Sequence, residues 1–343
     1  MASQHEWVTI GSPGNLERQR VTHLPVLVIH AHSSCNCRCI MCDIWNTKES
    51  HALRLSDLQP HLESIGRLGV RWVVFSGGEP LLNPELPSLC SILKRENIRL
   101  TLLTTGLLLG KFASQVADSF DDVIVSLDGP ESIHDAIRRV DKAFAVLRLG
   151  VGAVKQHRST VPITARMTVQ KANHRHLRET VRAARILDLN GISFLAADLT
   201  SEAFNRPLSW PAERQSEVAL SPDELKSLET EIESLIDEHS KDIENGYIAE
   251  SPAKLRRIAV HFRAHLGLER TESPQCNAPW TSAVIETDGS VRPCFFHRSI
   301  GNVYQRSLEE VINGGEALAF RSALDIPSNP TCNRCVCSLN YRP

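Results

Sequence analysis

The 343-residue sequence lacks the features that would place it in a membrane or on nucleic acid. Its N-terminal segment has no apolar core of the kind found in signal peptides, and no apolar run approaches the length of a membrane span. Charge of one sign is not in excess either, because 38 basic and 40 acidic residues leave a net charge of −2. That balance creates no strong field for nucleic acid or for an anionic membrane surface. We therefore expect a cytoplasmic protein with neither as a partner.

Cysteine, by contrast, is abundant, with ten residues in the chain. Cys90 stands alone in the apolar stretch LCSIL, where a buried core thiol is expected. Disulfides are typical of small secreted scaffolds, so the remaining cysteines favour metal or cluster ligation. They form one group near the start and one near the end: Cys35, Cys37, Cys39 and Cys42, then Cys276, Cys294, Cys332, Cys335 and Cys337.

From residue 24 onward, short apolar runs alternate with amphipathic helical segments. The runs are rich in Val, Ile, Leu and Thr, and several are apolar at consecutive positions, as in strands buried on both faces. The predicted strands are 24–32, 71–77, 98–106, 121–129, 162–170 and 191–198. These repeats predict an α/β fold with a parallel sheet, which is either a partial barrel or an open doubly wound sheet.

The alternation is interrupted in residues 199–270. Ser221 and Glu224 predict a capping box, with proline at the first position of a helix that runs to about residue 242. A second helix is predicted over about 252–266, and its charges mainly predict a solvated face, with a substrate-contacting face as the alternative. We predict an N-terminal extension, a barrel domain, a helical bridging segment and a cysteine-rich C-terminal domain: 1–23, 24–200, 201–270 and 271–343.

Cys35, Cys39 and Cys42 follow the first predicted strand with the spacing C-x3-C-x2-C. Three thiolates on one loop can hold three irons of a cubane cluster and leave the fourth iron open to another ligand. Parallel-sheet enzymes have their active sites at this end of the strands. A zinc site completed by Cys37 is the alternative. It is disfavoured because alternate residues of so short a loop do not readily converge on one ion.

Unusual residues also follow the other predicted strands. The second strand runs into the segment SGGEP at 76–80, in which paired glycines let the backbone approach a ligand closely and Glu79 is suited to bind an ammonium group. The third strand ends in TTG at 104–106. The fourth ends in SLDG at 126–129 and is followed by His134, Asp135 and Arg138. Together these residues are suited to a zwitterion that bears an amine, a carboxylate and a ribose.

The segments CNCRCIMC, FSGGEPLLNPEL and SLDGPESIHDAIR resemble the radical S-adenosylmethionine (radical SAM) superfamily over residues 24–200. The resemblance implies a partial (β/α)6 TIM-like barrel in which the three cysteines hold a 4Fe–4S cluster and SAM chelates the open iron. One electron then cleaves SAM to methionine and a 5′-deoxyadenosyl radical, which abstracts hydrogen from a substrate. Cys37 is an extra residue relative to the family pattern. The implied SAM contacts are Gly77, Gly78, Glu79, Pro80, Thr105, Ser126, Asp128 and Arg138, with Arg166 or Thr168 on the fifth strand and Ala196 on the sixth.

The second cysteine group begins with a predicted β-hairpin, in which Asp288 and Gly289 form the turn that brings Cys276 and Cys294 together. With the C-x2-C-x-C run at 332–337, it resembles the auxiliary-cluster extension of radical SAM enzymes, whose short form is called twitch and whose longer form is SPASM. A zinc ribbon is the alternative. The run ends close to the chain end, so we expect too few ligands for a second auxiliary cluster. The resemblance implies one auxiliary 4Fe–4S cluster with the ligands Cys276, Cys294, Cys332 and Cys335, and with Cys337 as a replacement for Cys335.

These expectations describe a radical enzyme that oxidises or otherwise modifies its substrate with the help of the auxiliary cluster. Such an oxidation needs a base, for which Asp198 is our first candidate and Glu202, Arg206 and His297 are others. The substrate is a small molecule or a peptide. The short segment before the first strand leaves no room for a leader-binding domain, which favours a small molecule or a peptide supplied by a partner. A maturase of a ribosomal peptide or protein side chain is the alternative.

We also expect a reductant such as flavodoxin or ferredoxin as a partner. The alternative to an enzyme is a non-catalytic iron–sulfur or zinc scaffold protein. The intact GGEP and SLDG segments disfavour this alternative.

Overall fold

The computed structural model describes residues 19–206, 208–270, 273–337 and 339–342, so the predicted extension 1–23 lies mostly outside the described residues. The predicted parallel strands are all present, and each pairs in parallel with the next. They are β1 Val26–His32, β2 Trp72–Gly77, β3 Arg99–Thr104, β4 Asp122–Ser126, β5 Ile163–Val169 and β6 Gly191–Ala196. The predicted α/β class is therefore confirmed.

The predicted hairpin forms as well, and it joins the same sheet. Strands β7 Ser282–Ile285 and β8 Ser290–Arg292 pair antiparallel across a turn in which Gly289 has φ +80°, and β9 Gly301–Asn302 pairs with β8. Unexpectedly, β7 also pairs in parallel with β1, which gives the strand order β6-β5-β4-β3-β2-β1-β7-β8-β9. No pairing between described strands closes this sheet into a barrel. The sheet thus crosses the predicted domain boundary near residue 271, and the division into domains stays a prediction.

Helices connect the strands and cover the sheet. In the described part of the chain they are α1 Leu55–Leu58, α2 Leu62–Arg67, α3 Leu86–Arg95, α4 Ala113–Ser119, α5 Glu131–Arg138, α6 Ala143–His157, α7 Leu177–Ile186, α8 Ala212–Ser216, α9 Pro222–Glu238, α10 Ser240–Glu244, α11 Pro252–His265, α12 Ala278–Thr281, α13 Leu308–Ile312, α14 Gly315–Ala323 and α15 Pro330–Asn333. Short 3₁₀ turns occur at Ile44–Asn46, Gln59–His61 and Pro80–Leu82.

Helix α9 begins at the predicted capping box, where the backbone N–H of Ser221 donates to the Glu224 carboxylate at 2.8 Å. It ends earlier than predicted, at Glu238, because His239 leaves the helical conformation and its imidazole contacts Asp242 of α10 at 2.9 Å. No helix in the described residues is long and apolar enough to cross a membrane.

The core lies on both faces of the central strands. Leu27, Ile29, Val73, Phe75 and Leu100 are each fully buried, as the consecutive apolar positions of these strands predict. Because parallel strands end at the same edge of a sheet, this core fixes the positions of the loops that follow β1 to β6.

Candidate functional site

The first cysteine loop follows β1 and is bound by the SGGEP segment that follows β2. The backbone N–H of Gly78 donates to the carbonyl of His32 at 2.8 Å, and that of Glu79 donates to the carbonyl of Ser34 at 2.9 Å. A Cβ atom on Gly78 would lie 2.0 Å from the Ser34 oxygen. Glycine is therefore needed at position 78, because only a residue without a side chain lets the two loops approach this closely.

Helix α5 binds the loop from the opposite side. The backbone N–H groups of Arg38 and Ile40 donate to the carbonyls of Arg138 and Ile137, both at 3.1 Å. The buried Arg138 guanidinium lies 2.5 Å from the Asp128 carboxylate and donates to the sulfur of Cys39 at 3.4 Å. Arg138 thus brings a positive charge, itself balanced by Asp128, into direct contact with the cysteine loop.

The four thiols of this loop have different environments. The buried Cys37 thiol hydrogen-bonds to Cys35 and Cys39 and lowers the pKa of both, that of Cys39 to about 6. Burial raises the pKa of Cys42 to about 12. Cys37 is 1% exposed and does not line the cavity that Cys35, Cys39 and Cys42 share. Three thiols of this loop therefore face the cavity, as a cluster with one open iron requires, and Cys337 of the C-terminal segment lines the same cavity.

Glu79 is fully buried and already has several protein donors. Its carboxylate accepts hydrogen bonds from the Thr104 hydroxyl at 2.9 Å, from the Thr105 N–H and hydroxyl at 2.8 Å, and from the Leu81 N–H at 3.1 Å. Burial raises the pKa of Glu79. The carboxylate thus joins the loops after β2 and β3, and its binding of an ammonium group stays a prediction.

The loops at this edge of the sheet surround a cavity of about 260 Å³. Thr168, the weaker candidate on β5, also lines it. The predicted residues that line the cavity are Cys35, Cys39, Cys42, Gly77, Gly78, Thr105, Ser126, Arg138, Arg166 and Asp198. The structure therefore brings most of the predicted site together in one place.

Four predicted residues, Glu79, Pro80, Asp128 and Ala196, do not line the cavity. Pro80 opens the 3₁₀ turn after Glu79, and Asp128 is fully buried behind Arg138, where it accepts the Thr168 N–H at 3.0 Å. Successive side chains of a strand point to opposite faces, so Leu195 reaches the cavity and its neighbour Ala196 does not.

Part of the cavity wall was missed by sequence reasoning and is aromatic. Phe204, Phe295 and Phe296 line it, with the Phe204 and Phe296 rings edge-to-face at 6.2 Å. Phe204 and Asn205 both adopt left-handed backbone, with φ +60° and +64°, which costs about 1–2 kcal/mol per residue. The doublet Phe295-Phe296 directly after Cys294 was the available signal for this wall.

Asp198, the first candidate for the base, forms a buried ion pair. Its carboxylate lies 2.7 Å from the Arg206 guanidinium and also accepts the Ser201 hydroxyl. Arg206 donates to the Met41 carbonyl of the cysteine loop at 3.2 Å and stacks 3.6 Å from the centre of the Trp210 ring. Burial lowers the pKa of Arg206. This pair thus connects the end of β6 to the cysteine loop.

The other candidate bases lie elsewhere. Glu202 pairs with Arg298 at 2.9 Å on the surface. The His297 ring is buried beside Phe320, and its Nε2 lies 3.3 Å from the sulfur of Cys332. Burial lowers the pKa of His297. Neither residue lines the cavity of the first cysteine loop.

The second cysteine group converges on a separate, small cavity of about 30 Å³. Its other walls include Pro274, Pro279, Phe296 and Ile326, and burial raises the pKa of Cys294 to about 12. Cys337 does not line it but faces the cavity of the first loop. The thiols that do line it are those of Cys276, Cys294, Cys332 and Cys335. Four thiols in an apolar setting fit a fully ligated iron–sulfur cluster.

Zinc remained an alternative for both cysteine groups. Among the residues that the structure describes, no three His, Cys, Asp or Glu side chains are arranged to hold a single metal ion. The zinc alternative therefore gains no support from the geometry.

Comparison with known protein families gives two matches. Residues 31–184 match the radical SAM superfamily, and residues 276–336 match the iron–sulfur cluster-binding domain called SPASM. The first match contains the cysteine loop and the ends of β2 to β5, which line the larger cavity. The second contains the four cysteines of the smaller one.

Individual relatives agree with these matches. Pre-heme d1 synthase of Dinoroseobacter shibae is 32% identical over 167 residues, which are 48% of this chain and 41% of the relative. The antilisterial bacteriocin subtilosin biosynthesis protein AlbA of Bacillus subtilis is 23% identical over 320 residues, which are 91% of this chain and 63% of the relative. The chain thus spans less than two thirds of the length of either curated relative.

The fold of the chain is also similar to that of a solved structure. Native anSMEcpe with bound AdoMet and the Kp18Cys peptide has a TM-score of 0.64 at 20% identity, and the match covers 90% of this chain and 88% of that one.

Proposed function

Because the chain belongs to the radical SAM superfamily and carries a SPASM iron–sulfur domain, we propose that it cleaves SAM reductively and modifies a substrate by radical chemistry. The superfamily's cofactors are a 4Fe–4S cluster and SAM, and the SPASM domain adds further iron–sulfur ligation. When bound, these cofactors supply a 5′-deoxyadenosyl radical that abstracts a hydrogen atom from the substrate.

The protein's own residues would hold these cofactors at the edge of the sheet. Cys35, Cys39 and Cys42 supply the three thiolates. Gly77 and Gly78 present backbone at the cavity surface, where no side chain obstructs a ligand. Ser126, Thr168 and Arg166 line the opposite wall and supply hydroxyl and guanidinium donors for a nucleoside and a carboxylate.

One observation carries the proposal. The cavity that contains the three cysteines is lined in part by residues of the C-terminal segment, namely Phe295, Phe296, Val336 and Cys337. A substrate in this cavity would therefore lie between the first cysteine loop and the cysteine-rich C-terminal segment. Aromatic walls of this kind exclude water, which protects a reactive radical from side reactions.

We propose a net oxidation, supported by one auxiliary 4Fe–4S cluster at Cys276, Cys294, Cys332 and Cys335. Among the described residues that line the larger cavity, Asp198 is the one carboxylate, which supports its role as the base that takes the substrate proton. Arg206 and Ser201 hold that carboxylate in place. The external electron donor is a small redox protein such as flavodoxin or ferredoxin.

Two substrate classes are candidates. A small molecule is the first, and the name of the Dinoroseobacter relative, a pre-heme d1 synthase, supports it. A ribosomal peptide is the second, and the bacteriocin biosynthesis protein, which matches over 91% of this chain, favours it. Mass spectrometry of the enzyme's reactions with pooled metabolites and with synthetic peptides separates the two classes.

SAM cleavage is tested on anaerobically reconstituted enzyme with dithionite and SAM. The wild type should form 5′-deoxyadenosine, and Cys39→Ala should not, because Cys39 faces the cavity beside Arg138. Cys90→Ala is the matched control, since Cys90 is buried in α3, away from this cavity, and should retain cleavage. Equal amounts of 5′-deoxyadenosine from wild type and Cys39→Ala would instead favour the non-catalytic scaffold.

A further inference from the structure

A second cavity, of about 190 Å³, lies between β6, helix α11 and the C-terminal cysteine segment. Helix α11 lines it with Lys254, Arg257, Ile258 and His261, which share one helical face at spacings of three and four residues. Two further cations come from β5 and from the C-terminal segment. The cationic side chains are Arg166, Lys254, Arg257 and Arg334, and we call this cavity the cationic pocket.

Within the described ranges of the chain, these four cations are not held in salt bridges. The one carboxylate in the lining, that of Glu250, accepts the Phe194 N–H at 2.8 Å. Burial raises the pKa of Glu250, and the nearby charges of Arg166 and Lys254 oppose that shift. Burial lowers the pKa of His261 to about 4, so its imidazole is neutral near pH 7. The pocket therefore has a net positive charge.

The outward face of the same helix shows the opposite behaviour. Arg256 pairs with Glu233 at 2.7 Å, and Arg263 pairs with Glu229 at 2.6 Å, both on α9. Arg256 and Arg263, on the outward face of α11, are thus neutralised within the protein. Lys254 and Arg257, on the inward face, form no salt bridge in the described residues. Like charges around a small cavity repel one another, and a bound anion would relieve that repulsion.

The cationic pocket borders both cysteine sites. Arg166, Leu195, Val336 and Cys337 line it and also line the larger cavity of the first cysteine loop. Cys335 lines it and also lines the cavity of the second cysteine group. A ligand group held in this pocket therefore lies beside the space in which the proposed reaction takes place.

We propose that the cationic pocket binds an anionic group of the substrate, a carboxylate or a phosphate. This inference rests on the proposed function, because it assigns the pocket to the molecule on which the radical acts. Two of the four cations also serve the neighbouring sites. Arg166 lines the proposed SAM site as well, and Arg257 donates to the Cys335 carbonyl at 3.2 Å. Lys254 is exposed at the rim of the pocket and is free to meet an incoming anion.

The test is calorimetric titration of the reconstituted enzyme, with SAM present, at constant ionic strength. The probes are glutarate, inorganic pyrophosphate and the neutral analogue glutaramide. One of the two anions should bind and glutaramide should not. Lys254→Gln should weaken anion binding about tenfold, as expected for the loss of one charge-assisted contact. Arg256→Gln is the matched control and should bind as the wild type does, because Arg256 points away from the pocket and pairs with Glu233.

Stronger binding of glutarate would identify a carboxylate, and stronger binding of pyrophosphate a phosphate. Binding of neither anion, or equal weakening by Lys254→Gln and Arg256→Gln, would overturn the proposal. So would a loss of iron from Lys254→Gln without anion binding to the wild type, since the charges would then serve the cysteine segment. SAM cleavage without substrate should be unchanged in Arg256→Gln, because Arg256 lies outside the pocket and pairs with Glu233. If the wild type binds the anion but forms no 5′-deoxyadenosine, the proposed function is wrong, but the assignment of the pocket as an anion-binding site is retained.

Discussion

The contact between Gly78 and the first cysteine loop provides a stringent test of the site. In Gly78→Ala, the new Cβ would lie 2.0 Å from the Ser34 carbonyl oxygen, whereas real contacts of this kind stay above 3.0 Å. The two segments must therefore separate by at least 1.0 Å. That movement disrupts the bonds from Gly78 to His32 and from Glu79 to Ser34, which are 2.8 and 2.9 Å long.

The expected change in the free energy of unfolding of Gly78→Ala follows from the loss of these two hydrogen bonds. Two hydrogen bonds contribute about 1–3 kcal/mol together, and overpacking adds about 1–3 kcal/mol, part of which is relieved by the movement itself. We expect the free energy of unfolding of Gly78→Ala to fall by about 2–4 kcal/mol. Because the displaced loop carries Cys35, we also expect iron at the first site to fall and 5′-deoxyadenosine formation to be lost. Urea unfolding, iron analysis and the SAM cleavage assay measure these effects.

Gly66→Ala is the matched control. A Cβ at position 66 meets nothing within 4 Å, and alanine in a helix is more stable than glycine by about 0.5–1 kcal/mol. This variant should keep its iron and its activity. Full iron content and full SAM cleavage in Gly78→Ala would refute the claim that close approach of the glycine segment positions the cysteine loop.

Three further outcomes are expected. Arg206→Met leaves the Asp198 carboxylate buried without its cation and should lower the free energy of unfolding by about 3–5 kcal/mol in urea titrations. Arg298→Met breaks an exposed pair and should lower the free energy of unfolding far less, and similar losses in both variants would contradict this reasoning. Cys276→Ser should reduce iron from about eight to about four per chain while SAM cleavage persists, and unchanged iron would exclude Cys276 as a ligand. Burial lowers the pKa of His134 from 6.5 to about 3, so the unfolded chain binds the proton first. Stability should therefore fall as the pH drops below 6.5, by up to about 1.4 kcal/mol per pH unit, and His134→Gln should show a smaller fall in urea midpoints.

Local sequence patterns predicted the parallel sheet and the convergence of the cysteine groups. Runs such as Val26–His32 are apolar at consecutive positions, and that pattern alone predicts a strand buried on both faces. Because such strands end at one edge, the residues that follow them were expected to meet there. The cavity that contains Cys35, Ser126 and Arg166 agrees with that expectation.

The other features of the fold and of the candidate site depend on long-range contacts, which no local sequence pattern encodes. The pairing of β7 with β1 joins residues about 250 positions apart, and the hairpin sequence specifies only its own turn. The choice of Leu195 rather than Ala196 for the cavity depends on strand register, which the run GISFLAAD does not fix. On α11, Lys254 and Arg256 are both basic, and only the packing of the helix decides that one faces a cavity and the other an acidic helix.

The parallel pairing of β7 with β1 has a consequence for any shortened form of the protein. With β7 in place, β1 is hydrogen-bonded on both sides. Removing the chain from residue 282 onward would turn β1 into an edge strand with a row of unpaired backbone groups beside buried Leu27 and Ile29. Such edges template pairing with other chains. The C-terminal segment therefore also protects the strand that leads into the first cysteine loop from aggregation, whether or not its own cysteines carry iron.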